Sequence, residues 1–255
     1  MKITSYSPAK TVEKALRLLE IIREEQPVRP AALTARLGLT RSNVHRLLAT
    51  LEELSYVEKT ADSAYRLGLK AFVLGSGVMR RDELLGAARA NMITLSELAN
   101  ENVNLGVRLG KEVLYLDKVE RPHLLKLDQV VGGTDPLHCT ALGKVLLSGL
   151  DANAVRQYLK KAILAPRTVK TITDPDAMVN HIDQVRRQGY ATDLEELSEG
   201  IHCVAAPIRD HTGSVIAALS VSAPAIRLTR TRIAKIRDDL LRITQDISIR
   251  LGYQP

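Results

Sequence analysis

The sequence predicts an α+β protein in two parts: a small helical domain carrying a two-stranded hairpin, then a larger domain of antiparallel strands flanked by helices. Three observations predict it. Apolar residues recur at helical spacing in three segments of residues 8–54, and two short strand-like runs follow before residue 68. From residue 102 the pattern turns to strands, with helical segments between them and a long helical stripe at the end. The charge divides in the same place. Residues 1–80 carry 13 Lys+Arg against 8 Asp+Glu, a net +5, and the remaining 175 carry 23 against 21, a net +2.

Composition narrows the class. Of 255 residues, 45% are hydrophobic and 25% charged, which suits a globular chain with real cores and not a disordered one. No run approaches the ~18 apolar residues of a membrane span. Met1 to Ser5 lacks the apolar stretch of a secretory signal. Two cysteines, Cys139 and Cys203, are too few for a disulfide framework. A protein of the reducing cytoplasm, with no membrane partner, is expected. Seven Tyr, one Phe and no Trp argue against gripping single strands by base stacking. The basic N-terminal third calls for an anionic partner, and nucleic acid is the first candidate.

Residues 8–25 form the first predicted helix, with Val12, Ala15, Leu16, Leu19 and Ile22 on one stripe and Ser7-Pro8 as cap and first turn. Pro30 opens a second helix through Leu37, and Gly38 stops it by accepting positive φ. Thr40 is a good N-cap for a third helix, Arg41 to about Leu54. Its inner stripe is Val44, Leu47, Leu48, Leu51 and Leu54. Its outer start, Arg41, Ser42, Asn43, His45 and Arg46, holds no acid. A short helix, a glycine turn and a helix polar at its start make a helix-turn-helix, whose second helix meets base edges with its first residues. The two strand-like runs, Tyr56 to Lys59 and Ala64 to Leu67, then read as a wing, with Lys59 and Arg66 placed for phosphates. Residues 1–68 are thus the expected DNA-binding domain. A protein-interaction module is the bland alternative for the same fold.

Gly68 to Arg81 and Asp82 to about Asn100 read as connecting helices, so 69–100 is the expected linker. Residues 101–255 are the expected second domain. A hairpin is predicted from Val103–Val107 and Val113–Leu116 around Gly110-Lys111, and a further strand from His123 to Val131. Helices are predicted near 140–149, 151–161 and 174–188, then two long strands near 201–209 and 214–223. A final helix near 229–250 carries Ile233, Ile236, Leu240, Ile243 and Ile247 at steps of three and four. On strand 214–223, Val215, Ala217, Leu219 and Val221 face the core, and Ile216, Ala218, Ser220 and Ser222 face the other side. Two hydroxyls among small side chains leave room and supply donors for a small polar ligand, although locally bonded sheet serines give the same pattern. Cys203 and Ala205 share one face of the neighbouring strand. The start of the helix near 140 offers free N–H groups at Ala141 and Leu142, which suit a carboxylate. A plain helix start capped by Thr140 reads the same way.

Three ordered blocks carry a resemblance. They are Thr40-Arg41-Ser42-Asn43-Val44-His45-Arg46-Leu47-Leu48 with the wing end Tyr65-Arg66-Leu67-Gly68, then Pro136-Leu137-His138-Cys139-Thr140-Ala141-Leu142-Gly143-Lys144, then Gly189-Tyr190-Ala191-Thr192-Asp193 with Glu196, Gly200 to Pro207 and Ser220-Val221-Ser222-Ala223-Pro224. Over nearly its whole length the chain resembles the IclR family of bacterial transcriptional regulators. It departs from the family pattern at Ala223, where glycine is usual. The resemblance implies a winged helix, a linker helix and a GAF/PAS-like α+β effector-binding domain. It implies a homodimer or a dimer of dimers on double-stranded DNA with a palindromic operator, a role as repressor or activator with a repressor by preference, and a small effector, a carboxylate by preference. It places effector contacts at Ala141, Leu142, Asp193, Cys203, Ser220 and Ser222. An ionised Asp193 beside a carboxylate is unfavourable, so Asp193 should meet a hydroxyl or hydrate, or hold a proton.

Other chemistries are weaker. His138-Cys139 and His202-Cys203, with Asp193, are zinc ligand types, and a metal- or thiol-based sensor using Cys203, His202 and Asp193 is the alternative. Adjacent strand residues point to opposite faces, so each pair offers one ligand at best, and no Cys-x-x-Cys spacing occurs. The same geometry keeps His202 from serving Cys203 as a base. No phosphate loop, dinucleotide glycine motif or paired metal motif is present, so no enzyme, cofactor or metal is expected.

Overall fold

The computed structural model describes residues 9–79, 83–123 and 129–254. The chain separates into two compact units, Met1–Asp82 and Glu83–Pro255. Among the described residues no helix is long and apolar enough to cross a membrane.

The first unit runs α1 (Lys10–Glu25), α2 (Pro30–Leu37), α3 (Arg41–Glu53), β1 (Val57–Lys59), β2 (Tyr65–Leu67) and α4 (Leu69–Met79). Pro30 sits in the first turn of α2, where no N–H is needed. Gly38 ends that helix at φ 61°, a left-handed turn that a side chain would strain. Thr40 caps α3 by accepting from the N–H of Asn43 at 3.4 Å. Leu18 and Ile22 of α1, Leu33 of α2, and Val44 and Leu48 of α3 form the core, which Val57 and Tyr65 close from the hairpin. The hairpin is antiparallel, with Glu58 opposite Arg66, and Val28 bridges to Tyr65 from outside it.

Two expected faces shift. On α1 the buried side is Leu18, Ile21 and Ile22, and Val12 and Leu16 stand more than half exposed. The partners of α1 select the face, because its apolar residues span more than one stripe. Leu54 falls on the C-cap of α3, past the last turn, and is exposed. The expected cap at Ser7-Pro8 lies outside the described residues. Helix α4 forms despite Gly75 and Gly77, and Leu69, Phe72 and Leu74 are exposed on it.

The second unit contains α5 (Glu83–Ala99), β3 (Asn102–Leu109), β4 (Glu112–Val119), β5 (Thr134–Pro136), α6 (Ala141–Ser148), α7 (Ala152–Lys161), α8 (Pro175–Gln188), β6 (Ala191–Leu194), β7 (Ile201–Arg209), β8 (Val215–Pro224) and α9 (Arg230–Arg250). The strands form one antiparallel sheet in the order β5-β4-β3-β8-β7-β6. Helices α5 and α9 cover one face, burying Ala88, Met92, Leu95 and the whole predicted stripe of α9 against Leu105, Val204, Leu219 and Val221. Helices α6, α7 and α8 cover the other face with Leu137, Val145, Leu159, Met178 and Ile182. Helix α5, which the sequence places in a connecting segment, is a core element of this unit.

The predicted alternation of β8 holds at Ala217, Leu219 and Val221, which meet α5 and α9, and at Ala218, which meets α6. Val215 is an exception. A register break between Ile208 and Arg209 reverses the phase there, and Val215 packs on the α6 side. The strand expected at 123–131 is not formed at its described ends, His123 and Gln129 to Val131, and 124–128 lie outside the described residues. The outer strand is instead β5, three residues long, in which Asp135 and Pro136, both depleted in strands, outweigh Thr134. The sequence pattern does not predict β6 either, because four residues are too few to show a period.

Leu240 is fully buried between α9 and the sheet. Leu240→Ala is expected to cost about 2–5 kcal/mol by denaturant unfolding, whereas Leu109→Ala, at an exposed position, should cost under about 0.5 kcal/mol.

Candidate functional site

In the first unit the candidate surface is the start of α3 and the hairpin. Arg41, Ser42, His45 and Arg46 are exposed and Asn43 is half-buried. The first turn holds no acid, so the positive end of the helix is not offset. Arg46 Nη2 reaches Asn43 Oδ1 at 3.4 Å, which ties two of the predicted contact residues together. Lys59 is exposed on β1. Arg66 is exposed but clamped across the hairpin, with Nε and Nη2 on Glu58 Oε2 at 3.1 and 2.9 Å. A phosphate must compete with that carboxylate for Arg66, a constraint that the sequence pattern does not show.

In the second unit one small cavity is lined by all six residues that the sequence marks for an effector. Four elements deliver them. Helix α6 presents Ala141 and Leu142 at its start, β6 presents Asp193, β7 presents Cys203, and β8 presents Ser220 and Ser222. Antiparallel register sets Cys203 opposite both Asp193 and Ser222. Further lining comes from Tyr115, Gln129, Thr140, Leu197, Ser198 and Ile201, which sequence reasoning does not mark as site residues. Of these only Thr140 leaves a signal, as the cap of α6.

That cap shapes the site. Thr140 Oγ1 accepts from Gly143 N–H at 3.0 Å and donates to Pro136 O at 3.0 Å. The first helical bond runs from Lys144 N–H to Thr140 O, so the N–H groups of Ala141 and Leu142 precede the helical ladder. Gly143 is required here, because a Cβ would run into the backbone of Leu137. From the neighbouring strand β3, behind the cavity wall, Asn104 Nδ2 donates to Ser222 Oγ at 3.3 Å. Ser222 therefore accepts from Asn104, and its own proton faces Cys203 and the cavity. The side chain of Ser220 has no hydrogen-bond partner among the described residues.

Asp193 is buried, and its Oδ1 accepts from Glu196 N–H at 2.7 Å. Burial pushes its carboxyl up to about 7, reinforced by the Glu196 charge and opposed by that hydrogen bond and by Lys144. Lys144 is fully buried, with Nζ 2.5 Å from Glu196 Oε1. Burial raises the Glu196 carboxyl above its usual range although Lys144 pulls it down. Both residues stand in the family blocks of the sequence, but no sequence signal pairs them across the cavity wall.

The residues of the sensor alternative divide. Cys203 lines the cavity, but His202 turns to the opposite face and places Nδ1 2.7 Å from Leu228 O. Burial pushes the Cys203 thiol well above its usual range and the Cys139 thiol up to about 12, the reverse of a reactive thiolate. Among the described residues no group of three His, Cys, Asp or Glu is placed to hold a metal ion.

A winged helix with an unopposed basic helix start, followed by a separate α+β unit enclosing a cavity of mixed character, defines a ligand-responsive DNA-binding regulator. A family model for the IclR helix-turn-helix domain matches residues 11–61, and one for the bacterial transcriptional regulator IclR C-terminal domain matches 76–249. The chain belongs to the IclR family of transcriptional regulators, which are DNA-binding proteins with an effector-binding C-terminal domain and not enzymes. It is 35% identical over 244 residues to the HTH-type transcriptional regulator KdgR of Escherichia coli K12, covering 95% of this chain and 93% of that protein. The crystal structure of Thermotoga maritima IclR matches with a TM-score of 0.78 at 32% identity, over 96% of this chain and 100% of that one. An IclR homologue from Microbacterium hydrocarbonoxydans, solved as a complex with 4-hydroxybenzoate, matches with a TM-score of 0.83 at 25% identity, over 94% and 98% of the two chains.

The raised Asp193 carboxyl gives a pH prediction. Between its ordinary value of 3.8 and about 7 the folded chain holds a proton that the unfolded chain has lost, so this group makes stability fall as pH rises through that window. Asp193→Asn keeps an acceptor for Glu196 N–H and removes the titration. Its Tm relative to the parent should therefore climb from about pH 4 to about pH 7 and then level off, as read by thermal unfolding across pH.

Proposed function

We propose that this protein is a cytoplasmic repressor that binds a palindromic operator as a homodimer or a dimer of dimers, and that a small organic acid in the cavity of the second unit alters that binding. The observation that carries the reading is convergence. Ala141, Leu142, Asp193, Cys203, Ser220 and Ser222 come from four separate elements and line one cavity. Its walls are largely apolar and supply the N–H groups at the start of α6 and two serine hydroxyls, which together suit a carboxylate. Asp193, holding its proton to about pH 7, can sit beside that anion or accept from a ligand hydroxyl above it. The relative solved with 4-hydroxybenzoate carries an acid of this kind, which supports the chemical class.

In the first unit, Arg41, Ser42, Asn43, His45 and Arg46 enter the major groove, and Lys59 and Arg66 approach phosphates. The exposed Leu69, Phe72 and Leu74 of α4 and Val12 and Leu16 of α1 supply apolar surface for self-association.

The test is fluorescence anisotropy of the purified protein with DNA upstream of its own gene, against unrelated DNA, over a range of salt. Specific, salt-sensitive binding is expected; equal and salt-insensitive binding to both DNAs would defeat the proposal. Within that assay, replacing Arg41 and Arg46 by Ala should weaken operator binding. Where the arginine holds a phosphate, its removal flattens the log–log salt slope by about one unit. Where it reads a base, its removal costs about 1–3 kcal/mol of specificity. Replacing Ser220 and Ser222 together by Ala should leave effector-free DNA binding within about twofold and weaken the response to an activating acid by about tenfold or more, since each hydrogen bond to a charged group is worth about 1.5–3 kcal/mol.

A further inference from the structure

The cavity has a second compartment. An open cleft, about 1030 Å³ including its mouth, adjoins it and shares five lining residues with it: Tyr115, Gln129, Leu197, Ser198 and Ile201. These five form a throat of mixed character. The Tyr115 ring, Leu197 and Ile201 offer apolar contact to methylene groups. Ser198 and Gln129 offer polar contact, and Gln129 Oε1 is buried without a hydrogen-bond partner among the described residues. A buried amide atom left unpaired is costly, so the throat is built for a polar group that the protein itself does not supply.

Arg167 stands on the outer side of this throat, and among the described residues no cation lines the inner compartment. Its side chain makes no hydrogen bond or ion pair among the described residues, and only its backbone N–H is engaged, by Thr171 Oγ1. The acid in the same wall, Asp135, accepts from Tyr115 through Oδ2 at 2.8 Å, and the Arg167 charge opposes the rise that burial gives its carboxyl, but no hydrogen bond or ion pair joins it to Arg167 among the described residues. Arg167 thus keeps its guanidinium fork for an incoming anion.

We infer that the ligand is a two-ended acid. One carboxylate lies at the start of α6 with Ser220 and Ser222, the chain passes Gln129 in the throat, and a second anionic group meets Arg167 outside it. This rests on the inner cavity being the effector site, and it adds a specificity-determining residue, Arg167, to the six that line that site. A one-ended acid of two or three carbons held in the inner compartment leaves Arg167 unused.

The test is calorimetric titration of the full-length protein with 2-oxo acids that share one head and differ in the tail: pyruvate, 2-oxopentanoate, 2-oxoglutarate and 2-oxoadipate. The better of the two diacids should bind about tenfold tighter than 2-oxopentanoate, the gain from one charge-assisted bidentate contact. Arg167→Gln, a surface change, should reduce that ratio to within about twofold and leave pyruvate binding unchanged. Equal or tighter binding of 2-oxopentanoate, or a ratio that survives in Arg167→Gln, overturns the two-ended ligand. The paired Ser220→Ala and Ser222→Ala variant separates the two readings. If it loses pyruvate binding while the tail ratio in the parent is flat, the inner site stands and the outer one falls. If the parent binds none of the four acids, the acid site and the inference built on it are both rejected.

Discussion

Lys144 is buried to the last atom, and an ammonium in that position is tolerable only because Glu196 meets it at 2.5 Å. Stripping either partner from such a pair costs about 3–5 kcal/mol, because the other charge is left unpaired in a low-dielectric interior. The pair does more than compensate itself. Lys144 lies one turn into α6, and Glu196 lies in the segment between β6 and β7. Their bond fixes the start of α6 against the segment that carries Leu197 and Ser198 and that follows Asp193 at the end of β6. Glu196 N–H then holds Asp193 Oδ1, and Thr171 Oγ1 holds Glu196 O at 2.6 Å, so a third stretch of chain is anchored to the same point. The donors at the α6 start and the carboxyl of Asp193 are therefore set by one charged contact.

The two units present opposite solutions to recognising an anion. The start of α3 uses exposed cations and an unopposed helix end, which are screened by salt and suit a polyanion that remains hydrated. The inner cavity has no cation in its lining among the described residues and relies on helix N–H groups and hydroxyls in an enclosed, low-dielectric space. Asn104 contributes to that arrangement without lining the cavity. By donating to Ser222 it leaves Ser222 as a donor, so the polarity of the cavity wall is set from behind. Arg66 shows the same dependence in the other direction, since Glu58 neutralises part of the wing that the sequence marks as basic.

Local pattern carries far. The stripe of α9, the alternation of Ala217, Leu219 and Val221, the cap at Thr40 and the stop at Gly38 are each legible, because each reports the phase or terminus of one element. The blocks around Ala141, Asp193, Cys203 and Ser220 are legible as family motifs, and the structure places those residues around one cavity. Strands β5 and β6 are not, since three or four residues have no measurable period and pairing along neighbouring strands decides them. Spacing puts Val12, Leu16 and Leu54 on inner faces that they do not occupy, because it permits several phases and only the packing of partners selects one.

The linear pattern sets the order of the helices and long strands, the basic helix start and the residue types available for a ligand, and short strands such as β5 and β6 escape it. Which of them meet is fixed by packing. Lys144 and Glu196 are 52 residues apart, and Asn104 and Ser222 are 118 apart. Arg167 comes to the mouth of a cavity whose floor is built from β8. Such juxtapositions leave no trace in periodicity, because a repeat along the chain records the geometry of one helix or strand, whereas a contact across the fold depends on how many elements pack at once.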